Sequence, residues 1–301
     1  MINAINNKDF LGDNLTQYEN DSRIFLPKKT PVIIRVIGKS INTLSKNLKK
    51  PFDEFIINAM QETMKFLCEH IHGCKLAYTH PYEINLLLID YDKANTTACF
   101  NNDLQKLVSV TASMATMKFN KVFSKSVDDF CKEKLQGPEP WKNLEDCDRK
   151  YINNLLQAAS KGAFFESKAF ALPQDEVNNY FTSRQTEFSF KSIMIVAQAH
   201  FKHEYIQNKT SIELQHMLYN KKCINYSDFP VHLKRGSCCI RERYFTPHEK
   251  GEDTYINPIT GNPEPGMWKS RWIIEKETPI FSRNPEYIND FVYLLTDDTK
   301  N

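Results

Sequence analysis

Seven basic side chains fall between positions 28 and 50, namely Lys28, Lys29, Arg35, Lys39, Lys46, Lys49 and Lys50, with no carboxylate among them. Such a cluster suits an anionic ligand, because ammonium and guanidinium groups hold phosphate oxygens by charge and by hydrogen bonds. A second basic segment runs from Thr210 to Lys250 and includes Lys221, Lys222, Lys234, Arg235, Arg241, Arg243 and Lys250. Between Asp128 and Asp148 the sign reverses, with seven carboxylates against three lysines. Solvated loops would give the same pattern, so charge alone leaves phosphate binding and surface solvation equally open.

Other chemistry-bearing residues are sparser. His70 and His72, and His200 and His203, are the close histidine pairs. The second pair would share a helix face, but no third ligand follows nearby, so polar helix residues are expected rather than a metal centre. The eight cysteines form no Cys-x-x-Cys pair. Scattered thiols without a secretion signal in Met1–Lys8 point to a reducing, cytoplasmic compartment.

These residues must be positioned by regular elements. Residues 31–37 are short and β-branched and read as a buried strand ending at Gly38. From Phe52 the apolar residues recur at helical spacing until Gly73. Residues 75–78 and 83–89 read as strands joined by the turn at 79–82, and a second amphipathic helix is expected from about Asn102 to Phe123. The order β-α-β-β-α predicts an α+β chain with a ferredoxin-like core, an antiparallel sheet carrying helices on one face. Residues 126–162, acidic and broken by Gly137-Pro-Glu-Pro140, are expected as an excursion on the surface that separates residues 1–125 from 163–301. Helices are expected at 174–205 and 211–219, and strands at 237–243 and 269–274 around a turn-rich loop.

Composition is compatible with this. The 301 residues are 41% hydrophobic and 25% charged, with a net charge of +2, which excludes wholesale disorder. No apolar run approaches the roughly 20 residues that span a bilayer, so no membrane association is expected.

Read together, several short motifs resemble the tRNA-His guanylyltransferases, the 3′-to-5′ reverse polymerases, and above all their shorter bacterial and phage-like members. They are Leu11-Gly-Asp, Pro31-Val-Ile-Ile-Arg35, Gly38-Lys39, Lys50-Pro-Phe-Asp-Glu54, Leu86-Leu-Leu-Ile-Asp-Tyr-Asp92, Tyr180-Phe-x-x-Arg184-Gln185 and His232-x-Lys234-Arg235-Gly236-Ser237. They occur in family order across roughly residues 10–290. The resemblance implies a polymerase-palm core, magnesium, GTP or ATP, a tRNA or other RNA substrate, and assembly as a tetramer. It further implies that Arg35, Gly38, Lys39 and Lys50 lie near nucleotide phosphates, and that Arg184, Gln185, Lys234 and Arg235 face RNA.

The departures from the family pattern concentrate at the chemistry. Where the first motif carries a metal-binding aspartate, this chain has Ile37, and where the second carries one, it has Tyr82; Glu83 alone survives. An isoleucine offers no oxygen to Mg²⁺, and a phenol protonated near pH 7 is a poor substitute for a carboxylate. Asn14 and Thr16 replace two basic residues, and Pro81 replaces a serine in the turn. The sequence therefore predicts a catalytically impaired member with no confident catalytic residue. It would bind RNA, nucleotide or a protein partner, with magnesium doubtful and Glu83 the one metal candidate, as a homo-oligomer or in a hetero-oligomer with an active relative. The alternative is an active tRNA 5′-end guanylyltransferase with a rebuilt metal site.

Overall fold

The computed structural model describes residues 12, 15–93, 95–136, 141, 144–247, 253–257 and 261–293. Strand β1 (Val32–Gly38) leads into a short helix α1 (Ile41–Leu44) and the long α2 (Glu54–His70). A hairpin of β2 (Cys74–His80) and β3 (Glu83–Leu88) follows, turning on Pro81 and Tyr82, and then α3 (Leu104–Lys134), α4 (Asp146–Lys161) and β4 (Phe165–Ala171). The C-terminal part comprises α5 (Gln174–His200), α6 (His203–Ile206), α7 (Ser211–Lys222), α8 (Val231–Arg235), β5 (Ser237–Pro247), β6 (Asp253–Ile256), β7 (Pro263–Glu275) and α9 (Glu286–Val292). One sheet holds the strands in the order β4-β1-β3-β2-β5-β7-β6, every pair antiparallel. Its first four positions are a complete ferredoxin-like β-α-β-β-α-β unit.

Alternation along β1 divides the molecule into two layers. Val32, Ile34 and Val36 face a core shared with Ile56, Met60 and Met64 of α2 and with Leu107 and Phe119 of α3. Ile33 faces the opposite layer, where Leu76 and Leu87 meet Val177 and Phe181 of α5 and Ile288 and Val292 of α9. The palm-like helices thus do lie on one face, as expected, and the C-terminal extension covers the other.

The acidic segment departs from expectation. Its described residues are not an excursion: α3 continues to Lys134, and Val127, Cys131, Ile152, Leu155 and Ala158 are all buried in the main core. In α3 the buried positions recur every fourth residue, at Leu107, Thr111, Ala115, Phe119, Phe123, Val127 and Cys131. At about 3.6 residues per turn, such a stripe drifts by roughly 40° per step. It therefore winds around the helix, and α3 runs along α2, from Lys118 over Phe66 to Phe130 beside Phe55, with α4 joining at the C-terminal end, where Tyr151 meets Phe130. The carboxylates Asp128, Asp129 and Asp148 stay on the solvated side of these helices. The Gly137–Pro140 breaker and Asp13 and Asn14 lie outside the described residues.

Candidate functional site

Antiparallel pairing brings the tip of the β2–β3 hairpin beside the end of β1. Ile37 pairs with Glu83 on one side and with Glu166 of β4 on the other, and the Gly38 N–H donates to the Tyr82 carbonyl at 3.0 Å. Gly38 is needed for close packing here, since a Cβ would lie 2.3 Å from Ile41 Cγ1. By strand alternation Arg35, Ile37, Glu83, Asn85, Glu166 and Lys168 share the face that α5 covers. Tyr82 instead packs against the opposite core.

Glu83 is 4% exposed and fully engaged. Its Oε2 accepts from Arg35 Nε at 2.8 Å and Nη2 at 2.5 Å, and its Oε1 accepts from Asn85 Nδ2 at 3.1 Å and lies 3.5 Å from His80 Nε2. Asn85 Oδ1 in turn accepts from the Tyr180 hydroxyl at 2.6 Å. Burial pushes the Glu83 carboxyl up, but His80, the Asn85 amide and the Arg35 guanidinium outweigh it and hold the pKa at about 2.

His80 is buried with its ring stacked on Phe188, centroids 4.5 Å apart. Its Nδ1 is 3.4 Å from the Tyr82 N–H and accepts from it, leaving Nε2–H to face Glu83. Both ring nitrogens are thus used by one neutral tautomer. Burial also lowers the His80 pKa, although the Glu83 carboxylate opposes this. Arg35 is then the fixed positive charge on Glu83.

The remaining predicted residues separate into two groups. Lys39 pairs with Glu166 at 3.0 Å, and Lys50 donates from Nζ to the Ser45 carbonyl at 3.1 Å. Lys50 also lines a cavity of about 160 Å³ together with Lys49, Ile41, Ile56, Pro81 and Tyr82. Its Pro51, Phe52 and Ile57 also border a second cavity, of about 560 Å³, lined further by Phe229, His232 and Lys276. Arg35, Gly38 and the Lys50 cavity are therefore gathered around one hairpin tip.

The expected RNA-facing set is more dispersed. Arg184 is held at 2.7 Å from Glu187, which also accepts from Lys191 at 2.5 Å. Gln185 is 4% exposed, donates to the Pro279 carbonyl at 2.8 Å and accepts the Phe281 N–H at 3.0 Å. Its amide ties α5 to the segment before α9, a buried use that its neighbour Arg184 obscures in sequence. Lys234 donates to the Ser227 carbonyl at 2.5 Å and Arg235 to the Thr278 carbonyl at 2.8 Å, so both brace local turns. Gly236 between α8 and β5 has φ of 83°, and a Cβ there would sit 2.6 Å from the Thr79 carbonyl oxygen. Of the aromatics on this helix and just after it, Phe188 is buried and Phe201 partly so, whereas Phe190 is 42% exposed.

A pair of divalent cations does not fit these residues. Mg²⁺ wants several hard oxygen ligands, and the tip supplies Ile37, Tyr82, the Glu83 carboxylate already saturated by Arg35, Asn85 and His80, and Glu166, which is paired with Lys39. Asp53 caps α2, taking the Phe55 and Lys49 N–H groups and the Tyr151 hydroxyl. Asp90 and Asp92 lie at the far end of β3, where Asp90 accepts from the Lys29 N–H and Asp92 pairs with Lys75 at 2.6 Å. Among the described residues, no group of three or more His, Cys, Asp or Glu is placed to hold a metal ion. Sequence reasoning missed His80, Asn85, Tyr180 and Glu166; the period-two pattern of Phe165–Ala171 would have revealed β4 and with it Glu166.

Comparison with known proteins identifies the family and the fold. The family model described as "Thg1: tRNAHis guanylyltransferase" matches residues 12–173. A bacterial tRNA(His) guanylyltransferase (Thg1)-like protein, solved in complex with ATP, superposes with a TM-score of 0.71 at 37% identity, covering 94% of this chain and 99% of that one. The chain belongs to the tRNAHis guanylyltransferase family. A GTP complex of a bacterial Thg1-like protein gives a TM-score of 0.69 at 36% identity over the same shares. The tRNA(His) guanylyltransferase of Schizosaccharomyces pombe is 26% identical over 239 residues, 75% of this chain and 78% of its own. The Saccharomyces cerevisiae enzyme shares the fold, with a TM-score of 0.56 at 19% identity. The palm-type fold expected from the motifs is the one observed, and no helix among the described residues is long and apolar enough to cross a membrane.

Proposed function

We propose that this chain is a catalytically impaired member of the tRNAHis guanylyltransferase family that acts by binding nucleotide and RNA. One observation carries the reading: the positions that the family motifs assign to metal aspartates are Ile37 and Tyr82, and the surviving Glu83 is closed into an ion pair with Arg35. Phosphoryl transfer of this kind relies on metal ions that activate the attacking oxygen and neutralise the leaving phosphate. No side chain at this tip does either.

What survives is the binding side of the machinery. The basic loop and the cavity beside Tyr82 keep cations and apolar walls together, and similar bacterial proteins hold ATP or GTP. The family name and its curated relative make tRNA the RNA ligand to test first. An assembly of identical chains, or a mixed one with an active relative, is part of the same proposal, as is a cytoplasmic setting, which the eight unpaired thiols support.

A second reading has an observation of its own. Glu166 and Glu83 flank Ile37 on the same sheet face, so a rebuilt metal site would draw on these two carboxylates. Each is engaged, with Lys39 and Arg35 respectively. Incubation with labelled GTP, Mg²⁺ and tRNA(His) separates the readings. The first predicts no label at the RNA 5′ end above an enzyme-free control. Transfer that disappears in both Glu83→Gln and Glu166→Gln would establish the second.

A further inference from the structure

We propose that the cavity beside Tyr82 binds a nucleoside triphosphate free of divalent metal, with Lys49 and Lys50 neutralising the phosphates in place of bound cations. The inference rests on the reading above that the fold retains nucleotide binding, and it specifies the ionic form of the ligand.

The cavity has two unlike sides. Ile41, Ile56, Ile57 and the Tyr82 ring give an apolar wall suited to the flat face of a base. Lys49 and Lys50 supply two ammonium groups on the same lining. Lys49 Nζ is steadied over the Tyr151 ring at 4.6 Å from its centroid, and Lys50 Nζ spends one proton on the Ser45 carbonyl, leaving donors for phosphate oxygens. Together with the adjoining cavity around Phe52, the space reaches the size of common cofactor sites.

The anionic side of the lining is closed. Asp53 is the single carboxylate there, and its Oδ1 takes the Phe55 N–H at 3.0 Å while its Oδ2 takes the Lys49 N–H at 3.1 Å and the Tyr151 hydroxyl at 2.8 Å. Glu83, just beyond Tyr82, is saturated as described. Glu54 borders only the adjoining cavity, so a metal–triphosphate complex whose phosphates lie at Lys49 and Lys50 would arrive with a cation that finds ammonium groups and no free carboxylate in that lining. The bare triphosphate carries more negative charge and meets only cations and hydrogen-bond donors. Metal coordination and lysine binding therefore compete for the same phosphate oxygens.

Equilibrium binding of mant-labelled GTP to the intact protein, followed by fluorescence anisotropy in EDTA and in excess Mg²⁺, tests this. Binding is expected to be at least as tight in EDTA as in Mg²⁺. It should weaken about tenfold or more in Lys49→Ala/Lys50→Ala, the order of two lost charge-assisted hydrogen bonds. Ile57→Trp, which fills the cavity from a half-buried position, should weaken binding in both buffers. Binding that appears only with Mg²⁺, or that ignores both variants, would overturn the proposal while leaving nucleotide binding by the fold intact. Absence of binding in either buffer would instead bring down the underlying reading, and the proposal with it.

Discussion

Replacing Arg35 by methionine removes the fixed charge that Glu83 faces while keeping most of the aliphatic stem. Two considerations bound the expected cost. Breaking one side of a buried ion pair leaves an uncompensated charge and typically costs about 3–5 kcal/mol. The depression of the Glu83 carboxyl from its ordinary 4.5 to about 2 is shared by His80, the Asn85 amide and Arg35, so at about 1.4 kcal/mol per pH unit its whole value, roughly 3 kcal/mol, is the ceiling on the pH-dependent part of the loss. Because the folded pKa is depressed, this contribution is complete above the unfolded value and is lost as pH falls through about 2. In Arg35→Met the carboxyl returns toward its ordinary range, so it protonates before the wild type does. Urea unfolding should therefore show a deficit of about 3 kcal/mol at pH 7 that shrinks by up to about 1.4 kcal/mol at pH 3. Arg35→Met/Glu83→Leu should recover most of the loss, because nothing charged remains buried. A deficit below about 1 kcal/mol, or one of equal size at both pH values, would refute a saturated Glu83 and reopen it as a metal ligand.

Two further substitutions test placements that the sequence did not announce. Leu155→Ala in α4 should cost about 2–5 kcal/mol in urea unfolding, as for any fully buried leucine; a change within about 0.5 kcal/mol would return the acidic segment to the surface. Gln185→Ala leaves the Pro279 carbonyl and the Phe281 N–H unsatisfied and should lower stability by about 1–3 kcal/mol. In a gel shift at a temperature where both proteins are folded, its affinity for tRNA should match wild type, and a selective loss of RNA binding would restore the original expectation for this residue.

How much of this was legible beforehand depended on which residues carried the signal. β1, α2 and the β2–β3 hairpin were readable because β-branched runs and a helical apolar period stand next to Gly38, Gly73 and Pro81. The loss of both aspartates was equally plain, since a motif fixes the position without any need for geometry. β4 was overlooked although Glu166 and Lys168 alternate with Phe165, Ser167, Ala169 and Ala171, because a serine and two alanines make that inner face only weakly apolar. The end of α3 was misplaced because Lys125, Asp128 and Asp129 interrupt the eye, whereas Val127 and Cys131 continue the four-residue stripe. The role of Glu83 was beyond sequence, because only antiparallel register sets Arg35, Asn85 and His80 around one carboxylate. The burial of Gln185 was beyond sequence for a related reason: its partners are backbone groups nearly a hundred positions away, and backbone groups leave no trace in composition.

The central claim is that the hairpin tip holds no divalent cation, and titration of Mn²⁺ followed by electron paramagnetic resonance measures this directly. Wild-type protein should leave the free-ion signal unchanged, while Ile37→Asp/Pro81→Ser/Tyr82→Asp, which restores the family's two carboxylates, should quench it at a defined stoichiometry. Saturable Mn²⁺ binding by the wild type, abolished by Glu83→Gln, would contradict the account.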